Sequence, residues 1–375
     1  MDILIIGNGF DIAHGLKTSY KDFLDFCVER NSKRIVGLVN YGTTFIDNIW
    51  LKHFLLRQDE LGKTWIDLEE EMLTVIETLS NIANIARLQP VTNPNFKFPA
   101  MFVIRKDVID FKFSNIAEFI MPANYYYQTN NNGYTEVETP DFSSIHYFVK
   151  DFDSLIRLIY DKLREFTKEF EKYLIENVNA CLQSQVASGY KLTLKTSRLY
   201  VLSFNYTNTC ESLYQYNCNT LAKDLKIETT YVHGKASSSG DSNLVLGTKS
   251  FSNKNIPLCF NVFKKHNQRH KYNTIEPYQE LLRLIKLPNA NPVFHIIGHS
   301  LDKTDHNILK HVFSANKDAM IKIYYHDEES QERLINNITD IITEEEVMAR
   351  VQFIYQHDEK RGMLKPVNKE VLTLS

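Results

Sequence analysis

The sequence predicts an α/β protein with a doubly wound, mostly parallel sheet of the Rossmann type, interrupted by a large, mainly α-helical insertion. Three observations lead to this prediction. An apolar run at residues 3–6 continues directly into Gly7, Asn8 and Gly9, as expected of a buried strand that ends in a glycine turn. Strand and helix signals alternate through the second half of the chain, which is typical of a parallel sheet covered on both faces. The stretch between these regions shows long helical periodicity instead.

These signals divide the chain into two predicted domains. Residues 1–30 and 197–375 form the α/β domain, because the first strand has to join the sheet built by the second half. Residues 31–196 form the helical insertion, with an irregular, partly β segment at about 87–146 that contains five prolines and the turn dipeptide Asn132-Gly133. The tyrosines at 125–127 are interpreted as part of an aromatic hairpin, because no basic residues accompany them as in a base-stacking platform.

Periodicity and turn residues give the individual elements. In the first half, helices are predicted from Tyr20, at 45–56, from Thr64 and over roughly 148–178. In the second half, the predicted strands are 199–204, 229–232, 244–246, 293–297, 320–325 and 351–355. The helices predicted between them are 207–216, 275–285, 303–313 and 329–342.

Composition and charge limit the functional classes. The chain of 375 residues is 43% hydrophobic and 24% charged, as in an ordinary soluble globular protein. Its net charge of −3 predicts no general affinity for nucleic acid or anionic lipid. No apolar run reaches the about 18 residues of a transmembrane helix, and no signal peptide is recognised. The five cysteines form no CxxC pair, which argues against a structural zinc site and indicates reduced thiols. We therefore expect a cytoplasmic protein without a membrane partner.

Four predicted strands end in glycine or polar residues. The strand ends are residues 7–11 (GNGFD), 205–207 (NYT), 233–234 (HG) and 298–302 (GHSLD). In open parallel sheets, ligands bind outside the carboxyl ends of the strands. If these four strands are parallel, their ends meet in one crevice that contains an amide, an imidazole, a hydroxyl and backbone N–H donors. Glycines let a ligand approach the backbone closely, and N–H groups at a turn hold anions such as pyrophosphate.

Each of these residues also has a structural explanation that involves no ligand. The glycines fit a tight turn, because a glycine at position 12 would complete the dinucleotide fingerprint and Ile12 stands there instead. Asn205 would cap the helix predicted at 207–216. His233 would be a hydrogen-bonded turn histidine, and Asp302 would be the N-cap of the next helix.

One basic stretch lies between the predicted elements, at residues 264–271, with four lysines or arginines and two histidines. A solvated loop is the favoured interpretation of such a cluster. The functional alternative is a loop that contacts phosphate near the crevice, or a local contact to nucleic acid.

Five motifs, in this order, resemble the bacteriophage abortive-infection AbiH family. They are GNGFDIAHGLKTSYKDF at residues 7–23, WIDLE at 65–69, SFNYTNT at 203–209, VHG at 232–234 and IIGHSLDKTD at 296–305. More remotely, the same order resembles the sirtuin and sirtuin-like NADase fold, in which comparable motifs surround NAD.

The resemblance implies a site for NAD, as substrate or ligand, that needs no metal. In the sirtuin pattern, Asn205 matches the asparagine that positions the nicotinamide ribose or the attacking water, and His233 matches the catalytic histidine. The implied cofactor-binding residues are Gly7, Asn8, Gly9, Asp11, Gly15, Gly298 and Ser300.

The chain departs from the sirtuin pattern in three places. The four zinc cysteines are missing, which disfavours protein deacetylation. Asp11 replaces a small residue of the loop, and its carboxylate would repel a pyrophosphate unless it faces a ribose or backbone N–H groups. Trp65, Asp67 and Glu69 have no sirtuin counterpart, and the favoured explanation is that they begin a helix, since acidic residues there complement the helix dipole.

The sequence thus predicts an antiphage abortive-infection protein that hydrolyses the nicotinamide glycosidic bond of NAD or a related nucleotide when a phage or host protein triggers it. The alternative is a non-catalytic, nucleotide-sensing or protein-binding module of a phage defence system. A nuclease is a weaker option, because apart from Asp67, Glu69 and nearby histidines no metal-spaced set of ligands is found. Homo-oligomerisation is compatible with each of these functions.

Overall fold

The structure is a computed structural model of the chain. It describes residues 1–35, 48–57, 65–88, 90–91, 101–105, 146–149, 152–184, 190–192, 196–214, 225–251, 256–356 and 364–366. The chain divides into two compact units. The α/β unit comprises Met1–Phe26, Glu169–Val245 and Arg269–Ser375, and the helical unit comprises Cys27–Lys168 and Leu246–Gln268.

The strands have the following bounds in chain order: β1 Asp2–Ile6, β2 Pro90–Val91, β3 Met101–Arg105, β4 His146–Val149, β5 Tyr190–Leu192, β6 Arg198–Ser203, β7 Lys226–Tyr231, β8 Val293–Ile297, β9 Met320–Tyr325, β10 Val351–Tyr355 and β11 Leu364–Pro366. In the described part of the α/β unit, six of them form one sheet in the order β10-β9-β8-β1-β6-β7. Every neighbouring pair in this sheet is parallel. The predicted doubly wound α/β fold is therefore confirmed.

The helices have the following bounds: Asn8–Ala13, Tyr20–Ile35, Ile49–Arg57, Trp65–Leu88, Phe152–Tyr173, Ala180–Ser184, Thr209–Tyr214, Lys265–Lys271, Ile275–Ile285, His306–Ala315, Glu328–Ile341 and Glu344–Arg350. A π-helical segment, Leu174–Asn179, and a 3₁₀ segment, Leu258–Phe263, complete the described helical structure.

Strand β1 lies in the middle of the sheet because it is apolar on both faces. Its residues from Ile3 onward are fully buried, and Ile5 has Leu202 of β6 on one side and Ile296 of β8 on the other. Parallel strands covered by helices on both faces carry such continuous apolar runs. The core around them includes Phe294 and Phe313, whose rings meet edge to face.

Two elements of the sequence prediction are wrong. Residues 244–246 are buried but form no strand, because their backbone is bound by loops: Val245 N–H donates to His233 O, and Val245 O accepts from the Tyr206 hydroxyl. The basic stretch 264–271 is not a solvated loop, because the helix Lys265–Lys271 forms there and Lys265 and Arg269 are buried. The helices Asn8–Ala13 and Glu344–Arg350 were not predicted.

The helical unit contains buried aromatic and charged side chains that contact each other within the unit. Trp50 is fully buried, its indole N–H donates to Ile159 O at 2.9 Å, and it packs near Phe54. The helix Trp65–Leu88 begins where the acidic residues predicted a helix start. Glu69 in that helix is buried and pairs with Lys265 at 2.7 Å, so it also neutralises a buried charge.

Three short strands are described in and beside the segment predicted to be irregular and partly β. Strands β2, β3 and β4 form an antiparallel sheet. The tyrosines at 125–127 and the turn at Asn132-Gly133 lie outside the described residues. The domain boundaries at 30 and 197 stay predictions. In the described part of the chain, no helix has the length and apolar character that crossing a membrane requires.

Candidate functional site

The four strands predicted to carry the site are neighbours in the sheet, in the order β8-β1-β6-β7, and they run parallel. Their carboxyl ends therefore share one edge, as expected from the sequence. From the central β1, the chain continues to β6 and β7 on one side and to β8, β9 and β10 on the other. This is the switch point at which open α/β sheets bind ligands.

Backbone packing explains the glycines at the ends of β1 and β8. Gly9 N–H donates to Gly298 O at 2.8 Å. A Cβ on Gly298, which has φ +63, would lie 2.0 Å from Phe10 N, and a Cβ on Gly7 would lie 2.8 Å from Gly298 O. The glycines thus let the ends of β1 and β8 approach each other. The Gly9 N–H group donates its hydrogen bond within the protein.

The helix Asn8–Ala13 follows β1 at once and turns Asp11 inward. It ends at Ala13 with His14 as the C-cap, and Gly15 follows with a φ of +75, which suits the left-handed residue after a helix C-cap. Behind it, the His14 Nδ1–H donates to Phe10 O at 2.7 Å, and His14 Nε2 accepts from the Tyr214 hydroxyl at 2.6 Å. Burial lowers the pKa of His14, which agrees with this neutral form. Gly15 and His14 therefore fix the helix that carries Asp11.

Asp11 is the centre of a buried set of uncharged polar groups, the Asp11 cluster, formed with Asn205, Thr207 and Thr209. The Thr207 hydroxyl donates to Asp11 Oδ2 at 2.5 Å and accepts from the Thr209 hydroxyl at 3.1 Å. These bonds join the end of β1 to the end of β6. They also place Asp11 away from solvent, with 1% of its surface exposed.

Burial raises the pKa of Asp11 from its usual 3.8 to about 6, and the nearby polar groups of Thr207, Thr209 and Asn205 reduce this rise. A hydroxyl donor stabilises a carboxylate less than a cation would. Asp11 is therefore able to gain and release a proton near neutral pH.

Two buried polar atoms of the Asp11 cluster, Asp11 Oδ1 and Asn205 Nδ2, make no hydrogen bond of normal geometry within the described part of the chain. Burying such atoms without a hydrogen bond costs about 1–3 kcal/mol each. One accepts a hydrogen bond and the other donates one, so a hydroxyl or carboxamide of a ligand would satisfy both.

Asn205 does not cap a helix. The helix predicted at 207 begins only at Thr209, so Asn205 lies outside its first turn. Its backbone is instead held by Ser203, whose hydroxyl accepts from Asn205 N–H at 3.2 Å and donates to Asn205 O at 3.3 Å. This local loop frees the amide side chain from a capping role.

His233 belongs to a second set of groups, the His233 cluster, formed with Arg269, His299 and Asp305. His233 Nε2 lies 3.2 Å from Asp305 Oδ1, and Arg269 Nη2 lies 3.4 Å from His233 Nδ1. Because a guanidinium only donates, His233 Nδ1 is the acceptor and the proton of a neutral ring sits on Nε2, toward Asp305. Arg269 also approaches Asp305 Oδ1, at 3.6 Å.

His299 completes this cluster from the loop after β8. Its Nδ1 accepts from Leu301 N–H at 2.9 Å, which leaves Nε2 to carry the proton 3.9 Å from Asp305 Oδ2. Leu301 is buried with φ +57, a conformation that costs a non-glycine residue about 1–2 kcal/mol. The loop therefore holds His299 in place at some cost in backbone strain.

Asp305 occupies the N-cap position of the helix His306–Ala315, but its side chain makes no capping hydrogen bond. The predicted N-cap, Asp302, is wrong because the helix begins four residues after it. An aspartate cap usually contributes about 1 kcal/mol. Asp305 does not make this contribution to the helix. Its carboxylate lies near His233, Arg269 and His299 instead.

Aromatic rings connect the ends of β6 and β7. Phe204 packs edge to face with His299 at 4.3 Å between ring centroids and with His233 at 5.6 Å. The ring centroids of Tyr206 and His233 lie 6.0 Å apart. These contacts place the residues that flank Asn205 against the His233 cluster.

The remaining predicted residues, Asn8 and Ser300, follow β1 and β8, and within the described residues their side chains share no contact. Asn8 is the partly exposed first residue of its helix. Ser300 follows Gly298 by two residues, and its backbone carbonyl accepts from Asn337 Nδ2 at 2.8 Å.

Sequence reasoning did not single out Arg269, His299, Asp305, Thr207 or Thr209 as site residues. A signal existed for most of them, since His299 and Asp305 lie in the quoted IIGHSLDKTD motif and both threonines lie in SFNYTNT. Arg269 was included only as part of the basic stretch. Its contact with His233 joins distant parts of the chain and leaves no local pattern.

The described residues contain no group of three or more histidine, cysteine, aspartate or glutamate side chains arranged to hold a metal ion. The edge of the sheet at the carboxyl ends of the strands carries a titrating carboxyl, an amide, two oriented imidazoles and a guanidinium. This set can bind a polar organic ligand, hold an anion and accept a proton.

The fold and these side chains define a doubly wound α/β protein with two buried polar clusters at the switch point of its sheet. The chain belongs to the bacteriophage abortive infection AbiH family, whose sequence profile matches residues 3–327. The match includes every residue of both clusters, and it gives the protein a role in abortive infection. A comparison with curated proteins finds no match.

Proposed function

We propose that the α/β unit binds NAD or a related nucleotide at this edge and hydrolyses its nicotinamide glycosidic bond, which would stop growth of the infected cell. The observation that carries the proposal is the buried pair Asp11 Oδ1 and Asn205 Nδ2 at the switch point, neither of which makes a hydrogen bond of normal geometry within the described part of the chain. A hydroxyl of the nicotinamide ribose accepts and donates at once, so it suits this pair. A negatively charged pyrophosphate does not suit the vicinity of Asp11.

In the proposed reaction, a water oxygen bonds to the ribose C1′ while the bond from C1′ to the nicotinamide nitrogen breaks. The bonding electrons leave with nicotinamide, and the water proton passes to His233 Nδ1. Asn205 and Asp11 orient the ribose. General base catalysis of this kind typically contributes about 10²–10⁴-fold to the rate.

Purified full-length protein incubated with NAD, with and without extract of infected cells, tests the proposal by chromatography of released nicotinamide. Asn205→Ala and His233→Ala are each expected to lower the release rate by about 100-fold or more. Asn336→Ala and His311→Ala serve as matched controls, because both residues are exposed on helices and belong to neither cluster. The hydrolase proposal fails if nicotinamide is released neither with nor without the extract.

A non-catalytic nucleotide sensor is the second candidate, and one observation favours it: Asp305 and Arg269 engage both ring nitrogens of His233. A base has to offer a lone pair, and the Arg269 contact occupies the one on Nδ1. Calorimetry with NAD and with ADP-ribose separates the candidates. Equal affinity for the two ligands without nicotinamide release supports the sensor, whereas release supports the hydrolase.

A further inference from the structure

Arg269 is held in an unusual place for a basic residue. Its exposed fraction is only 8%, although the helix Lys265–Lys271 that carries it is almost entirely polar. Its guanidinium lies between His233 Nδ1, at 3.4 Å, and Asp305 Oδ1, at 3.6 Å. Charge-assisted hydrogen bonds normally measure about 2.7–2.9 Å. Both contacts are longer, so neither is a short charge-assisted hydrogen bond.

The same contact decides whether His233 is able to accept a proton. The proton on His233 Nε2 faces Asp305 Oδ1 at 3.2 Å, which leaves Nδ1 as the basic nitrogen. In this structure, the Arg269 guanidinium covers that nitrogen. For His233 to act in the proposed reaction, the guanidinium has to move from Nδ1 to another acceptor.

We propose that Arg269 binds the phosphate of the substrate and, by moving to it, uncovers His233 Nδ1, while Asp305 keeps the imidazole oriented. This inference rests on the proposed hydrolysis and makes it specific for phosphate-bearing substrates. A guanidinium binds phosphate with two parallel N–H···O bonds, which suits it better than one long bond to an imidazole. Arg269 and Asp305 are thus positioning residues for His233, and Arg269 is also a binding residue.

The two polar clusters fit this assignment. The Asp11 cluster repels an anion and suits an uncharged ribose hydroxyl, while Arg269 supplies the positive charge that a phosphate needs. One ligand with a ribose beside a phosphate would meet both. The reaction that releases nicotinamide would then depend on the phosphate, although no bond to phosphorus changes.

The rates of hydrolysis of two substrates test whether phosphate binding by Arg269 enables His233 to accept a proton. NAD and nicotinamide riboside contain the same glycosidic bond, but only NAD carries phosphate. Arg269→Gln is expected to lower kcat/KM for NAD by about tenfold to a hundredfold, the range for loss of a hydrogen bond to a charged group. It should not lower kcat/KM for nicotinamide riboside. Arg283→Gln, which removes an exposed arginine that pairs only at the surface, is the matched control and should change neither rate.

An equal loss on both substrates, or no loss on NAD, would overturn the role of Arg269 while leaving the hydrolase intact. If the wild type hydrolyses neither substrate, the proposed function itself fails, and the inference fails with it.

Nuclear magnetic resonance of protein labelled with ¹⁵N-histidine adds a measurement that does not depend on turnover. Inorganic pyrophosphate is expected to move the His233 Nδ1 signal, assigned with His233→Ala, toward that of a nitrogen without a donor. The same addition should leave the signal unchanged in Arg269→Gln. Absence of this shift in the wild type, or an equal shift in the variant, would contradict the movement of Arg269.

Discussion

The two polar clusters at the edge of the sheet are built in different ways. The Asp11 cluster consists of uncharged donors around one carboxyl group, linked by hydroxyls at 2.5 and 3.1 Å. The His233 cluster surrounds Asp305 with two imidazoles and a guanidinium at 3.2–3.9 Å. Both clusters are anchored on parallel strands of one sheet, yet one holds its acid with neutral groups and the other with cationic or protonatable ones.

This difference assigns the two clusters to different parts of a ligand. Without a cation beside it, Asp11 has a pKa raised to about 6 by burial and suits a hydroxyl or amide. The His233 cluster contains the positive charge that an anionic group requires. A nucleotide has both kinds of group close together, which is why the proposed function assigns one to each cluster.

The largest expected effect comes from breaking the contact on which both clusters depend. Gly298→Ala places a Cβ 2.0 Å from Phe10 N at a residue with φ +63, so the loop after β8 has to move away from the helix that carries Asp11. We expect a loss of about 4 kcal/mol in the free energy of unfolding from strain and overlap together. Denaturant unfolding measures this loss.

Gly240→Ala is the matched control for this prediction. Gly240 has φ +83, but a Cβ added there would meet nothing within 4 Å, so only the backbone strain remains, about 1 kcal/mol. Equal losses in the two variants would show that the close approach of the strand ends contributes little.

The sheet was predictable from the sequence because its strands are continuous apolar runs. Strands β8 and β9 and the helix Ile275–Ile285 lie at the predicted residues. The helix Asn8–Ala13 was not predicted, because Gly7 and Gly9 indicate a turn and Gly9 lowers helix propensity by about 1 kcal/mol. That glycine is tolerated since the Gly298 backbone leaves no room for a Cβ.

The site was predictable only in part. The rule that ligands bind at the carboxyl ends of parallel strands identifies Asp11, Asn205 and His233 together. It does not identify Arg269, which lies on a helix without apolar periodicity and reaches His233 only in the folded chain. The N-cap rule selected Asp302, whereas Asp305 occupies the N-cap position and its carboxylate forms a long-range ion pair instead of a cap.

The next largest effect concerns the Asp11 carboxyl and sharpens the contrast between the clusters. Its pKa is about 6 in the folded protein and 3.8 in its usual state, so the folded state holds the proton more tightly. Stability from this group is therefore full below about pH 4 and falls by about 3 kcal/mol as the pH rises past 6. Asp11→Asn removes this fall. Relative to wild type, its free energy of unfolding should rise by that amount between about pH 4 and pH 7.

Asp327→Asn is the control of opposite sign. The Asp327 carboxyl accepts a hydrogen bond from Ser330 N–H as a helix cap, and this bond holds its pKa below the usual value. Removing it should cost more stability at neutral pH than in acid. A pH profile of Asp11→Asn parallel to that of wild type would contradict the buried, titrating Asp11.

The smallest expected effect comes from removing the Thr207 hydroxyl from the Asp11 cluster. Thr207→Val keeps the side-chain shape but removes the donor to Asp11 Oδ2, which should cost about 1–2 kcal/mol. Because the bond is stronger to a carboxylate than to a carboxylic acid, the cost should be greater above pH 6 than below it. Thr230→Val, whose hydroxyl makes a 3.5 Å bond to the neutral carbonyl of Pro277, is the control and should lose less, equally at both pH values. A pH-independent loss at Thr207 would mean that Asp11 keeps one protonation state throughout, and the Asp11 cluster would then differ less from the His233 cluster than the burial of Asp11 indicates.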